Sequence, residues 1–454
     1  MNLKNDTIAA VATAYGTGGI AVIRISGDKT LDIVKKVFKS KKEPVHSTAV
    51  FGSVVNSNGE KIDEGICTFF KSPHSYTGED TAEISCHGGI TVTRAVLEAV
   101  LFAGARHALG GEFTKRAFIN GKLDLCEAEA VIDLINADSK VFSKAALSQL
   151  EGRLSKSIGE LSDSLVQVNA GFLAAVDYPD DEIEESKLSD FKETVNSAIS
   201  KCNRLIASFE TGEIIKEGIK CAIIGAPNSG KSSLLNFLAG SEKSIVTDIP
   251  GTTRDIVEAS LTIDGIKINL SDTAGIREAL DPVEKIGVSK SKLAADTSEL
   301  VLCVVDGAVP LNSASSEALS LCKDKKAVIV INKSDLPLKA DIEEIKKISE
   351  NIVFISALTG DGTEALIEKI KQMYNFGQIF SGNNQLITNL RHKVCLENAV
   401  KYLENALDAI DNSLFADIIC EELSDAISSL NEITGQSVNE KIVENIFQRF
   451  CVGK

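Results

Sequence analysis

The hydrophobic positions of this chain change period several times, and each change marks a change of architecture. Over the first ~120 residues, short β-rich apolar runs such as Ile20 to Ile25 and Ile66 to Phe70 are separated by glycine turns at Gly16-Thr17-Gly18-Gly19 and Gly88-Gly89. That pattern predicts a small α/β domain. From Glu127 to about Ala175 glycine is sparse and proline absent, and apolar residues recur at helical spacing, as at Ala145, Ala146, Leu150 and Leu154. A long helical stretch is expected there, ending at Asp177-Tyr178-Pro179, and a second from about Leu188 to Phe209.

After Gly212 and Gly218 the pattern becomes one of short continuous apolar runs: Cys221 to Ile224, Leu300 to Val305, Ala327 to Ile331 and Ile352 to Ile355. Such runs suit strands buried on both faces, and the helix-length segments between them suit crossovers in a parallel sheet. Thr262-Ile263-Asp264-Gly265-Ile266-Lys267 reads instead as a hairpin, because Asp-Gly supplies the positive-φ turn. After about Gly382 helical spacing resumes, and Ile442, Ile446 and Phe450, with Val443 and Phe447 beside them, form an apolar stripe on the last helix. The expected fold is multidomain α/β: an N-terminal α/β domain (1–120), a discontinuous helical domain (121–216 and 379–454) and an inserted P-loop domain with a mostly parallel sheet (217–378).

Composition narrows the picture. At 454 residues the chain exceeds one compact core, and 44% hydrophobic content supplies several. No window approaches the ~18 uninterrupted apolar residues of a membrane span, so no membrane association is expected. The ten cysteines show no C-x-x-C pair and the five histidines no metal-ligand spacing, which suits a reducing cytosol and a cytoplasmic location. A formal charge of −16 argues against non-specific coating of nucleic acid but leaves room for a local basic groove.

Gly225-Ala226-Pro227-Asn228-Ser229-Gly230-Lys231-Ser232 matches G-x-x-x-x-G-K-[ST] between an expected strand and a helix carrying Leu234, Leu235 and Leu238. Backbone amides there can surround phosphates, Lys231 can reach the outer phosphates, and the Ser232 hydroxyl can ligate Mg²⁺, with Ser233 following in the same turn. Asn332-Lys333-Ser334-Asp335 follows a buried strand, and a buried Asp335 could accept both the N1 and N2 hydrogens of guanine. Ser356-Ala357-Leu358 after the next strand could add backbone donors to the guanine oxygen. GTP is therefore favoured over ATP. Between these motifs, Asp272-Thr273-Ala274-Gly275 can hold Mg²⁺ through water and sense the γ-phosphate, while Thr253 of Gly251-Thr252-Thr253-Arg254-Asp255 offers a second hydroxyl to the metal. The residue after D-x-x-G is Ile276, so the attacking water needs another polar group; Glu278, Asp281 and Glu284 are all candidates.

These motifs in this order, with their flanking segments and the tail Cys451-Val452-Gly453-Lys454, resemble the tRNA-modification GTPases of the MnmE (TrmE) family over essentially the whole chain. The resemblance implies modification of the wobble uridine (U34) of certain tRNAs at carbon 5, jointly with an FAD-containing flavoprotein of the MnmG (GidA) family. A tetrahydrofolate derivative, 5-formyl or methylene, would donate the one-carbon unit, and glycine or ammonium would complete a carboxymethylaminomethyl or aminomethyl group. It further implies a homodimer formed through the N-terminal domain and a heterotetramer with the flavoprotein.

Carried over residue by residue, Arg24, Glu83, Lys122 and Lys454 match the family's folate-contacting positions, although as residues Arg24 and Lys122 read as ordinary surface cations. Asn228 matches a potassium-ligating asparagine, and Thr247, Ile249 and Thr252 the remaining K⁺ ligands, with Ile249 acting through its carbonyl. Glu284 matches the water-activating glutamate, which lifts it above Glu278 and Asp281. Cys451 has two readings, a participant in the modification chemistry or a small buried side chain capping the last helix. The competing function is a regulatory GTPase, such as a ribosome-assembly factor, which the GTPase motifs alone do not separate from an enzyme of tRNA modification.

Overall fold

This structure, a computed structural model, describes residues 6–177, 184–240, 244–247, 257–263, 265–271, 292–374, 385–448, 450 and 452–453. They form two compact units, one of Met1–Ile135, Leu147–Cys202 and Cys395–Lys454, the other of Asn136–Ala146 and Asn203–Val394.

The first unit opens with strands β1 (Ile8–Val11), β2 (Ile20–Ser26), β3 (Phe38–Lys39), β4 (Ala49–Val55), β5 (Lys61–Phe70), β6 (Thr81–His87) and β7 (Arg106–His107) in one sheet of order β3-β4-β5-β6-β2-β1-β7. Every pairing is antiparallel except β1 with β7. Period-two alternation decides its faces. Ala21, Ile23 and Ile25 of β2 share a core with Ile84 of β6 and with Ile33, Val34, Val96 and Val100 of the helices Thr30–Val37 and Ile90–Phe102. Arg24 and Glu83, in register across β2 and β6, take the other face.

The helical part of this unit comes from both sides of the nucleotide domain. Helix Arg153–Asp177 runs antiparallel to Ala416–Thr434, as the hydrogen bonds Ser162 Oγ to Asn431 Oδ1 (3.0 Å) and Asn169 Nδ2 to Ser424 Oγ (3.1 Å) establish. One expectation needs correction. The single long helical stretch is three helices, Leu125–Asn136, Lys140–Leu150 and Arg153–Asp177. It breaks where the Ser139 hydroxyl accepts from the Phe142 amide, capping a new helix, and at Gly152, whose φ of 76° ends the preceding one. The last helix, Glu440–Phe447, buries Val443 and Phe447, with Phe450 just beyond its end, while Ile442 is exposed. Of the expected stripe Ile442 alone turns outward, because Val443, Phe447 and Phe450 share a core with Leu125 while Ile446 and the partly buried Phe118 pack against it.

The second unit holds β8 (Ile219–Ile224), β9 (Ser244–Thr247), β10 (Val257–Ile263), β11 (Ile266–Ser271), β12 (Leu300–Asp306), β13 (Ala327–Asn332) and β14 (Ile352–Phe354) in the order β14-β13-β12-β8-β11-β10-β9. The first five of that order are parallel; β10 and β9 extend the sheet antiparallel. All six residues of β13 are buried, which is the continuous apolar run expressed as a strand with both faces covered. Gly265, at φ 83°, closes the β10–β11 hairpin as expected.

Candidate functional site

Because β8, β12, β13 and β14 are parallel and in register, the loops that leave their C-terminal ends share one edge of the sheet, the position where α/β folds bind ligands. The loop after β8 enters the helix Lys231–Gly240 there. Gly230 has φ 97°, and a Cβ on it would lie 2.0 Å from Asn332 Nδ2; on Gly225 it would lie 2.3 Å from Val304 O. Only glycine fits either position. Asn228 itself is left-handed, at φ 60°, and exposed. The loop and the first turn of this ten-residue helix make the kind of concave backbone arrangement that binds anions.

The side chains of the loop fit a phosphate-bearing ligand. Lys231 Nζ donates to Gly225 O (2.9 Å) and Ala226 O (2.8 Å), so the ammonium is held against the loop itself. Burial pushes its pKa down, which a nearby anion would reverse. The Ser229 hydroxyl is buried and has no hydrogen-bond partner among the described residues, an orphan of the kind a ligand satisfies. Ser232 and Ser233 are exposed in the first turn of the helix.

Asn332, only 2% exposed at the end of β13, joins this loop to the next one. Its Nδ2 donates to Ser229 O (2.9 Å) and its Oδ1 accepts from the Ala357 amide (3.0 Å). Lys333, left-handed at φ 65°, pairs with Asp306 at the end of β12 at 2.5 Å. Asp335 accepts from Ser356 Oγ at 2.6 Å, which brings the 332–335 and 356–358 segments together. Contrary to the expectation of burial, Asp335 is exposed, and Leu358 is 85% exposed at the tip of its loop. Ile249, Thr252, Thr253, Asp272, Thr273, Ala274, Gly275, Glu278, Asp281 and Glu284 lie outside the described residues. Thr247 is described as the last residue of β9, paired with Ser260.

In the first unit, Arg24 is no ordinary surface cation: its side chain is 13% exposed and ion-paired to Glu83 at 2.9 Å. The guanidinium lies 5.2 Å from the Tyr76 ring centroid and 5.7 Å from that of Phe113, and donates to Gly453 O at 3.4 Å. The chain's tail is thereby beside Arg24, with Val452 bridged to Gly110. Lys122 is exposed and donates to Pro73 O (3.2 Å), on the same 71–80 turn that carries Tyr76. Cys451 and Lys454 lie outside the described residues.

Sequence reasoning missed what supports that turn. Arg116, 1% exposed, pairs with Asp6 (2.7 Å), Glu79 (3.1 Å) and Glu112 (3.1 Å), and Arg106 pairs with the same Asp6 and Glu112. Glu79 Oε2 also accepts from Ser26 Oγ at 2.8 Å, tying the turn to β2. The i,i+4 spacing of Glu112 and Arg116 was the only signal available in the sequence.

Comparison with known proteins agrees with this geometry. The family descriptions "GTP-binding protein TrmE N-terminus" and "MnmE helical domain" match residues 7–122 and 125–451. A "tRNA modification GTPase MnmE" of Acetivibrio thermocellus is 43% identical over 99% of this chain and 100% of that protein. One of the same name from Clostridioides difficile is 43% identical over 99% of each, and one from Lachnoclostridium phytofermentans 42% over the full length of both. Two family matches that together span nearly every residue, and identities of this size over whole chains, establish that the chain belongs to the MnmE (TrmE) family of tRNA-modification GTPases.

Proposed function

We propose that this chain is a K⁺-stimulated GTPase that, with an FAD-containing MnmG (GidA)-type partner, installs the carboxymethylaminomethyl or aminomethyl group at carbon 5 of U34 in certain tRNAs. The observation that carries the GTPase part is the convergence of the Gly225–Ser232 loop with the 332–335 and 356–358 segments, joined through Asn332, in a chain of this family. Family membership also favours this reading over a ribosome-assembly GTPase.

In this account Lys231 and the loop amides neutralise the phosphates, and Asp335, Ala357 and Leu358 select the base. Ser232 and Thr253 hold Mg²⁺; Asn228, Thr247, Ile249 and Thr252 hold K⁺. A cation at that place supplies the charge neutralisation that an arginine finger supplies elsewhere. Glu284 orients the attacking water. Arg24, Glu83, Lys122 and Lys454 bind the tetrahydrofolate derivative, with Cys451 in the same tail as Lys454. The Arg24–Glu83 pair suits such a ligand, because a guanidinium braced by two rings and a carboxylate beside it present donor and acceptor to a planar heterocycle. Homodimers, the flavoprotein complex and a cytoplasmic setting complete the proposal.

The folate part is tested by calorimetric titration of the full-length protein with 5-formyl-tetrahydrofolate. Wild type should bind, and Arg24→Ala and Glu83→Gln should each lose about tenfold or more, the worth of one charge-assisted contact. Unchanged affinity in both variants, with GTP hydrolysis intact as a check on folding, removes these residues from the site.

A further inference from the structure

Charge is distributed unevenly over this acidic chain. The first 122 residues hold fifteen lysines and arginines against twelve carboxylates, although the whole chain carries a formal charge of −16. Six of those lysines, at positions 29, 35, 36, 39, 41 and 42, fall in fourteen residues that contain a single carboxylate, Asp32. All six are exposed.

Two ordinary explanations cover part of this run. Lys35 and Lys36 sit in the last turn of helix Thr30–Val37, where cations complement the dipole, and Lys39 guards the edge strand β3 against pairing with another chain. Neither reaches Lys41 and Lys42, which follow the strand and make no ion pair among the described residues. Of the six, Lys35 alone meets a carboxylate among the described residues, Glu43 at 3.4 Å. Lys36 and Lys39 donate to backbone carbonyls, Ala103 O at 3.1 Å and Lys35 O at 2.8 Å, rather than to carboxylates.

The run also leads somewhere. Beyond Lys42 the chain brings His46 against the 71–74 segment: its Nδ1 accepts from the Lys71 amide at 3.0 Å and its ring lies 6.0 Å from that of His74. Lys122 reaches the same segment through Pro73 O. From there the turn continues to Tyr76, which lies against Arg24. A line of exposed cations and imidazoles therefore connects the helix Thr30–Val37, along the β3 edge, to the turn beside Arg24 and Glu83.

We infer that this track is the surface on which the chain holds the phosphate backbone of its tRNA, delivering the strand toward the Arg24–Glu83 pair. The inference rests on the tRNA reading above. Lysines suit the task as point charges for phosphate, contacting the backbone without reading sequence, and exposed imidazoles offer faces on which an unpaired base can stack. An overall negative charge is no obstacle, since phosphate binding is governed by the local cationic density.

The test is filter binding of an unmodified tRNA transcript to the full-length protein over a series of KCl concentrations. Wild type is compared with Lys39→Glu/Lys41→Glu/Lys42→Glu and with a control, Lys323→Glu/Lys346→Glu/Lys347→Glu, that changes net charge equally. The slope of log affinity against log salt should shrink by about 2 in the first variant, at ~0.7–0.9 per lost phosphate contact, and affinity should fall at least tenfold. The control should match wild type, and GTP hydrolysis should be equal in all three. Equal slopes and affinities in the three proteins overturn the track. Wild type that fails to bind the transcript at all overturns the tRNA reading together with it.

Discussion

Replacing Asn332 with alanine isolates the connection between the phosphate loop and the base-side loop. The side chain is 2% exposed and makes two bonds of 2.9 and 3.0 Å, to Ser229 O and from the Ala357 amide. Truncation leaves the buried Ser229 carbonyl and the partly buried Ala357 amide without these partners, at about 1–3 kcal/mol each, so the loops lose roughly 2–6 kcal/mol of mutual support. A nucleotide that bridges both loops must then supply the lost order on binding. Even the lower end corresponds to about a thirtyfold rise in Kd for GDP. Asn332→Asp should do no better than alanine: it keeps the acceptor for the Ala357 amide but places a carboxylate against Ser229 O. The structure also predicts coupling. A methyl on Gly230 would sit 2.0 Å from Asn332 Nδ2, so Gly230→Ala should cost less in the Asn332→Ala background than alone, retaining only the strain of φ 97°. Fluorescent-GDP titration and chemical unfolding measure both effects. A folded Asn332→Ala variant that binds GDP within about twofold of wild type would refute the bridging role, since that difference is worth under ~0.5 kcal/mol.

Two further outcomes are expected. Burial raises the pKa of Asp6 and Glu112, but Arg106 and Arg116 outweigh it, and both carboxyls end below their ordinary values of 3.8 and 4.5. Groups lowered in this way stabilise the fold fully above those ordinary values and lose that contribution as pH falls through the lowered ones. The acid-unfolding transition of wild type should therefore be steeper below pH 4.5 than that of Asp6→Asn/Glu112→Gln, and parallel curves would contradict the assignment. Exchanging Na⁺ for K⁺ should accelerate GTP turnover in wild type but not in Asn228→Ala; equal wild-type rates in the two salts would remove the potassium site.

The nucleotide unit was the most legible part of the sequence because its signals are local. A strand buried on both faces must be continuously apolar, and a phosphate loop needs glycine where a Cβ collides, as at Gly225 and Gly230. Contacts between distant residues were not legible. Nothing in a linear pattern reports that Asn332 reaches Ser229, 103 positions away, or that Arg24 is braced by Tyr76 and Phe113. Arg24 read as a surface cation for that reason. Helical spacing likewise carried no mark of the break at Gly152, because an isolated glycine is tolerated in helices and its left-handed φ is imposed by the turn. On the last helix the stripe was legible except for Ile442, whose exposure depends on where Leu125 lies against Val443 and Phe447. The exposure of Asp335 illustrates the opposite limit: the motif identifies the residue, and burial depends on its surroundings.

The central claim, that GTP hydrolysis by this chain serves wobble-uridine modification, is tested most directly by mass spectrometry of tRNA nucleosides. The strain lacks the gene and is complemented with wild type, Lys231→Ala or Cys451→Ser. The account predicts loss of the carbon-5 substituent on U34 in the deletion, restored by wild type and by neither variant. An unchanged nucleoside profile in the deletion would contradict it.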